Sequence, residues 1–102
     1  MYGMIARATV KPGQAAALQA LLADWRATVR PTVPGSFLEL VGNIAGNSDQ
    51  VVFVALAQDQ AAWDQLAASP EQLAFYQKFN AVFTAEPTWE TVSMEITVQD
   101  ER

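Results

Sequence analysis

Residues 36–57, SFLELVGNIAGNSDQVVFVALA, hold two extended segments joined by a tight turn. In the first, Leu38, Leu40 and Ile44 alternate with Phe37, Glu39, Val41 and Asn43, and a period of two is the signature of a strand. Gly46-Asn47-Ser48-Asp49 supplies hairpin chemistry. Residues 51–57 are almost continuously apolar, as in a strand covered on both faces. Two strands in direct succession, with a helical pattern on either side, set the topology.

On the N-terminal side, residues 2–10 alternate as well. Tyr2, Met4, Ala6, Ala8 and Val10 share one face, and Gly3, Ile5, Arg7 and Thr9 the other. Lys11-Pro12-Gly13 makes a turn. From Gln14 onward the period changes: Leu18, Leu21, Leu22, Trp25 and Val29 form the apolar stripe of an amphipathic helix. Pro31 and Pro34-Gly35 stop it. On the C-terminal side, QAAWDQLAASPEQLAFY (residues 60–76) reads as a helix that breaks at Ser69-Pro70 and restarts. Ser69 is placed to cap the second piece, with Pro70 at its first position and Gln72 at its third. Pro87 marks its end. Residues 91–98 alternate again, Val92, Met94, Ile96 and Val98 against Thr91, Ser93, Glu95 and Thr97.

The order is β-α-β-β-α-β, the ferredoxin-like arrangement of an α+β domain, spanning residues 1–102 as one unit. It predicts an antiparallel sheet in spatial order 4-1-3-2 with the helices on one face. The uncovered face, expected to carry Ile5, Phe53 and Val51-type side chains, needs a cover. Hydrophobic residues make up 51% of the 102-residue chain, more than a monomer of this size easily buries. A homodimer, sheet against sheet in a dimeric α+β barrel, is therefore expected.

Composition also excludes functions. The net charge is −5 and the six basic residues are scattered, so no stripe neutralises a phosphate backbone and nucleic acid is not an expected partner. No run reaches the ~20 apolar residues of a membrane span, and the N-terminus has no apolar core behind a basic start; a cytoplasmic protein is the expectation. The chain has no cysteine and no histidine. Thiolate catalysis and zinc–sulfur sites are excluded, and the commonest general base and metal ligand are missing. No cofactor and no metal are expected, and haem held by an axial histidine is ruled out.

The run into VKPGQ and a long helix, the FLELVGNIAGNSDQVVFVAL hairpin, the DQAAWDQLAASPEQLAFY stretch and the EPTWETVSMEI ending together resemble the antibiotic-biosynthesis monooxygenase-like proteins of the dimeric α+β barrel superfamily. In that family's signature a histidine commonly follows the aromatic by three residues, where this sequence has Leu66. A second histidine often follows the Ser-Pro, where this sequence has Glu71. Haem-degrading relatives use an Asn on the first strand, a Trp and a His; Ala6, Leu66 and Tyr76 stand there, so the resemblance does not extend to haem chemistry. Relatives that form quinones without a cofactor use Asn, Trp, Tyr and Arg to bind a phenol and stabilise its anion, which itself reacts with oxygen. Asn43, Trp63, Tyr76 and Arg7 are the matching residue types.

The resemblance implies a monooxygenase-like protein holding a small aromatic or phenolic ligand in an apolar cavity between sheet and helices. Trp63, Leu66, Tyr76 and Phe79 are the expected binding residues, and Arg7, Asn43 and Tyr76 the expected catalytic ones. Each also has a plainer reading. Trp63 and Tyr76 can be core aromatics. Arg7 can pair with Glu95 across adjacent strands, the favoured reading, rather than hold an oxyanion. Asn43 can serve the turn. Glu39 can be an outward charge on an edge strand, the favoured reading, or an inward base of raised pKa. Trp25 reads as core, Trp89 as a lid or a docking residue, and Asp24, Asp59 and Asp64 as solvated or capping charges. The alternative to an enzyme is a non-catalytic binding or regulatory protein using the same cavity; acid–base chemistry through an inward Glu39 is a third reading.

Overall fold

The computed structural model describes residues 1–100; the last two residues of the span expected as one unit lie outside the described residues. Four strands, β1 (Tyr2–Thr9), β2 (Phe37–Ile44), β3 (Asn47–Ala57) and β4 (Thr88–Ser93), form one antiparallel sheet in the order β2-β3-β1-β4. That is the expected order read from the other edge. The helices are α1 (Ala15–Thr28), α2 (Gln60–Ala67) and α3 (Pro70–Val82), with a 3-10 turn at Arg30–Thr32 after α1. The architecture is ferredoxin-like.

Local chemistry sets the boundaries. Gly46 takes φ +81° at the β2–β3 turn, a conformation glycine adopts without steric cost, and the Asn47 carboxamide oxygen accepts from the Asp49 N–H at 3.2 Å. Arg30 closes the loop after α1 by donating to the carbonyls of Val33 and Gly35, both at 3.0 Å. The break between α2 and α3 is real. Asp59 caps α2 by accepting from Ala62 N–H at 2.9 Å, and Ser69 caps α3 by accepting from Gln72 N–H at 3.1 Å, each satisfying a donor the first turn leaves open.

The core consists of two clusters on the helix-covered face. One joins Leu18 and Leu22 of α1 to Ala8, Val10, Val51, Val82 and Phe83. The other joins Trp25, Val29 and Val33 to Leu66 and Phe75. Phe79 packs against both.

Three expectations about the sheet are corrected by its register. Phe53 and Val51 lie on the covered face: Phe53 opposes the buried Ala6 and packs with Phe83 at 6.1 Å, and Val51 belongs to the first cluster. β3 is apolar on both faces, so alternation could not tell them apart. The open face carries Ile5, Val52 and Val54, with Leu38 and Leu40 of β2. The fourth strand runs over Thr88–Ser93 rather than 91–98, because β1 begins at Tyr2 and Tyr2 already opposes Ser93. Trp89 is consequently a strand residue opposite Ala6. The same register excludes the Arg7–Glu95 pair: Arg7 opposes Val52 and Thr88, whereas Glu95 lies beyond the other end of β1.

Removing the Ser69 hydroxyl isolates the value of the α3 cap. Ser69→Ala is expected to cost about 1 kcal/mol, read as a lower urea midpoint with unchanged m-value.

Candidate functional site

A cavity of about 480 Å³ opens between the sheet and the helices, within the ~300–1,000 Å³ range of small-molecule sites. It exists because the two core clusters do not merge: Leu22 of one and Trp25 of the other both face it. Its walls hold eight of the chain's ten aromatic side chains, all but Tyr2 and Phe75. Phe37 and Phe53 come from β2 and β3, Trp25 from α1, Trp63 from α2, Tyr76 and Phe79 from α3; Phe83 and Trp89 complete the set. Tyr76 and Trp89 stack with ring centroids 5.5 Å apart, and Trp25 lies 5.4 Å from Phe37. Such a lining suits a flat aromatic molecule, whose faces can stack or meet ring edges.

Polar groups punctuate this wall. Gln72, Tyr76 and Asn80 recur every fourth residue of α3 and all line the cavity. The Trp25 indole N–H donates to the Gln72 carboxamide oxygen at 2.7 Å. That bond occupies the oxygen and leaves the Gln72 amide hydrogens to serve as donors. The Asn80 carboxamide oxygen is buried and has no hydrogen-bond partner.

Glu39 also lines the cavity. The favoured reading of an outward charge is corrected: β2 is indeed an edge strand, but Glu39 opposes Ala55, itself a cavity residue, and so shares the inward face. Its carboxylate lies 3.5 Å from Arg26 Nε. Burial nevertheless outweighs the nearby guanidinium, and the Glu39 pKa is raised above its ordinary value, since desolvation disfavours the charged form.

The structure brings together four of the sequence-selected residues, Trp63, Leu66, Tyr76 and Phe79, at one cavity. The other two lie elsewhere. Arg7 is exposed on the open face of the sheet, because its strand position has the opposite parity to Met4 and Ala6, which line the cavity. Asn43 sits at the exposed hairpin end, where its amide donates to the Ser48 and Gln50 carbonyls at 2.9 and 3.3 Å. Sequence reasoning passed over Gln72 and Asn80 as site residues, although their four-residue spacing about Tyr76 was a usable signal. Among the described residues no group of three or more Asp and Glu side chains gathers as a cation site.

Comparison with known proteins adds three findings. The family model described as antibiotic biosynthesis monooxygenase matches residues 1–78. A comparison with curated proteins returns no match. Among solved structures, one described as an antibiotic biosynthesis monooxygenase superposes with a TM-score of 0.74 at 19% identity, covering 94% of this chain and 100% of that one. SnoaB from Streptomyces nogalater, described as a cofactor-independent oxygenase, gives 0.76 at 20% identity with 97% of each chain covered. A protein from Mycobacterium tuberculosis gives 0.73 at 20%, covering 96% of this chain and 98% of its own. At these identities the superpositions speak for the fold.

Glu39 also governs a pH response. With its folded pKa above its unfolded one, the folded state binds the extra proton between the two values. Glu39's contribution to stability is therefore expected to be greatest below the unfolded value near 4.5 and to fall as pH rises through the raised folded value. Denaturation midpoints measured across this range should show the decline, and Glu39→Gln should flatten it.

Proposed function

The chain belongs to the antibiotic biosynthesis monooxygenase family, and from that premise we propose that it is a cofactor-independent monooxygenase-like enzyme acting on a small phenolic aromatic. The observation that carries the proposal is a partly desolvated carboxylate, Glu39, in a cavity walled by aromatic rings. Trp63, Tyr76 and Phe79 hold the substrate ring, with Leu66 closing the wall. Glu39 takes a proton from the phenol or from a ring methylene activated by it. A base works best when its pKa approaches the working pH, which is the direction in which burial moves Glu39.

The substrate anion then supplies the electrons. One electron passes to molecular oxygen, and the two radicals join in a carbon–oxygen bond to give a hydroperoxide. Loss of water leaves a carbonyl, so a CH₂ group and O₂ become C=O and H₂O. The substrate provides every electron, and no external reductant enters. Excluding bulk water strengthens the hydrogen bonds that the Gln72 amide and the Tyr76 hydroxyl can offer to the anion.

The proposal also takes residues 1–102 as one unit that works as a cytoplasmic homodimer. The open face of the sheet presents Ile5, Val52, Val54 and Leu38, with Leu40 57% exposed. Beyond β4 the same two-residue spacing continues through Met94, Ile96 and Val98, all exposed. Exposed Arg7 and Glu90 share this face, but apolar surface on this scale marks an interaction face, and a second copy supplies a matching one.

A non-catalytic binding or regulatory role is the second reading. What favours it is that the cavity wall is mainly apolar and that the chain has no histidine to move protons.

Oxygen uptake with a panel of anthrones and hydroquinones separates the two readings. Turnover above the uncatalysed rate is expected, and binding without uptake sinks the oxygenase reading. Trp63→Ala should lower kcat/KM about tenfold, the size of a lost aromatic stacking contact. Light scattering at micromolar concentration should give twice the 11.1 kDa chain mass, and Leu40→Glu should shift the protein toward monomer; a wild-type monomer refutes the dimer.

A further inference from the structure

We propose that Trp25 and Gln72 together set the cavity's specificity: the indole N–H holds the Gln72 carboxamide so that its amide hydrogens meet a carbonyl-type oxygen on the aromatic ligand. The inference rests on the reading of the cavity as an aromatic-ligand site and goes beyond it by assigning the polar contact and the residue that aims it. An indole nitrogen donates and does not accept, so the partner of Trp25 Nε1 at 2.7 Å is the Gln72 oxygen. A carboxamide whose oxygen is committed in this way is not free to turn over. The Gln72 backbone is fixed as well, because its N–H donates to the Ser69 hydroxyl at 3.1 Å at the start of α3. Both ends of a flexible side chain are therefore set before a ligand arrives, and the ordering that a free glutamine would undergo on binding is already complete.

What Trp25 leaves over is the amide nitrogen. Gln72 borders the cavity and is half-buried. Among the described residues no acceptor pairs with its Nε2, and that nitrogen is accessible, unlike the enclosed Asn80 oxygen. The other cavity residues of the Trp25 cluster, Phe37, Trp63 and Leu66, carry no side-chain acceptor. The carboxylate of the wall, Glu39, is held beside Arg26. The acceptor must therefore come with the ligand. A hydrocarbon laid over the nitrogen strips its water and returns nothing, whereas a ligand oxygen restores the bond in surroundings of low polarity. A site that presents a fixed donor rejects the analogue that lacks the acceptor. The ligand class is an aromatic ring system with a carbonyl-type oxygen at its edge.

Isothermal titration of the full chain with 2-acetylnaphthalene and 2-isopropenylnaphthalene, which differ by an oxygen in place of a CH₂ group, tests the inference without requiring turnover. The readout is the ratio of the two dissociation constants, compared between wild type and variant. The alkene's greater hydrophobicity and any general loosening of the cavity cancel in that comparison. Gln72→Glu keeps an oxygen for the Trp25 N–H and removes the amide donors. It is expected to shift the ratio about tenfold against the ketone, the size of one hydrogen bond lost in apolar surroundings. Trp25→Phe keeps a ring but releases the carboxamide, and should shift the ratio the same way by about threefold, since an unheld side chain must be ordered on binding. Gln72→Met carries the first comparison if the glutamate variant does not fold. If Trp25→Phe does not fold, the wild-type Trp25 indole proton decides instead, and must stay slow to exchange with deuterium in the ketone complex. An unshifted ratio in either variant overturns the proposal, as does a fast-exchanging indole proton or a wild type that binds neither probe. Ketone selectivity that depends on Gln72 in a protein that takes up no oxygen upholds this inference while the oxygenase reading fails; oxygen uptake with a ratio unaffected by Gln72→Glu does the reverse.

Discussion

The indole of Trp25 ties three elements together, and the cavity depends on it. The ring is buried and lies 5.4 Å from Phe37 of the edge strand β2. Its N–H reaches across to Gln72 on α3 at 2.7 Å. A buried indole needs a partner for that hydrogen, and satisfying it with a side chain of the other helix fixes the separation of α1 from α3. The two helices thereby pack directly on each other, and the cavity lies between that pair and the sheet. The aromatic rings that both helices direct toward the sheet leave there a space of about 480 Å³. Binding capacity here follows from a packing constraint.

The same constraint explains why the polar groups of the wall are poised. Protein interiors are close-packed and their polar groups are normally satisfied. This cavity departs from both rules at once, with unfilled volume, an unpaired Asn80 oxygen and a carboxylate whose charge burial disfavours. Each departure costs stability, and the residues concerned, Glu39 and Asn80, both border the same space. Such costs concentrate where a site must be ready for a ligand before the ligand arrives. The capped start of α3 carries part of this arrangement, since Ser69 fixes the first turn and hence the positions of Gln72, Tyr76 and Asn80 along one face.

Much of the fold was legible because its signals are local. Alternation over residues 2–10, the turn at Gly46 and the Ser69-Pro70 restart each encode an element through its own side chains, and the structure has all of them. What could not be read was pairing. β3 presents Val52, Val54 and Leu56 on one face and Val51, Phe53 and Ala55 on the other, so only its register against Ala6 shows which face is covered. The end of β4 is likewise set by where β1 begins, and not by the alternation that continues to Val98. The site divided along the same line. Trp63, Leu66, Tyr76 and Phe79 lie on two consecutive helices whose faces local periodicity defines, and they meet. Arg7 and Asn43 were selected by residue type, and strand parity and hairpin geometry carry them away. Glu39 went the opposite way, because an edge strand still has an inward face.

That inward carboxylate bears most directly on whether the cavity holds or transforms its ligand. A cavity that only stores an apolar molecule gains nothing from a partly desolvated acid, which weakens the fold and repels apolar surface. Pairing with Arg26 alone could have been arranged on the exposed side of the strand, where the charge would cost little. Placed among aromatic rings, Glu39 has its proton affinity raised toward the range in which a carboxylate can take a proton from a weak acid and return it. Tyr76 and the Gln72 amide line the cavity from the facing helix as potential hydrogen-bond donors. On the proposed oxygenase reading, a proton acceptor on the sheet side and donors on the helix side supply the polarity that deprotonating a phenolic ring between them requires.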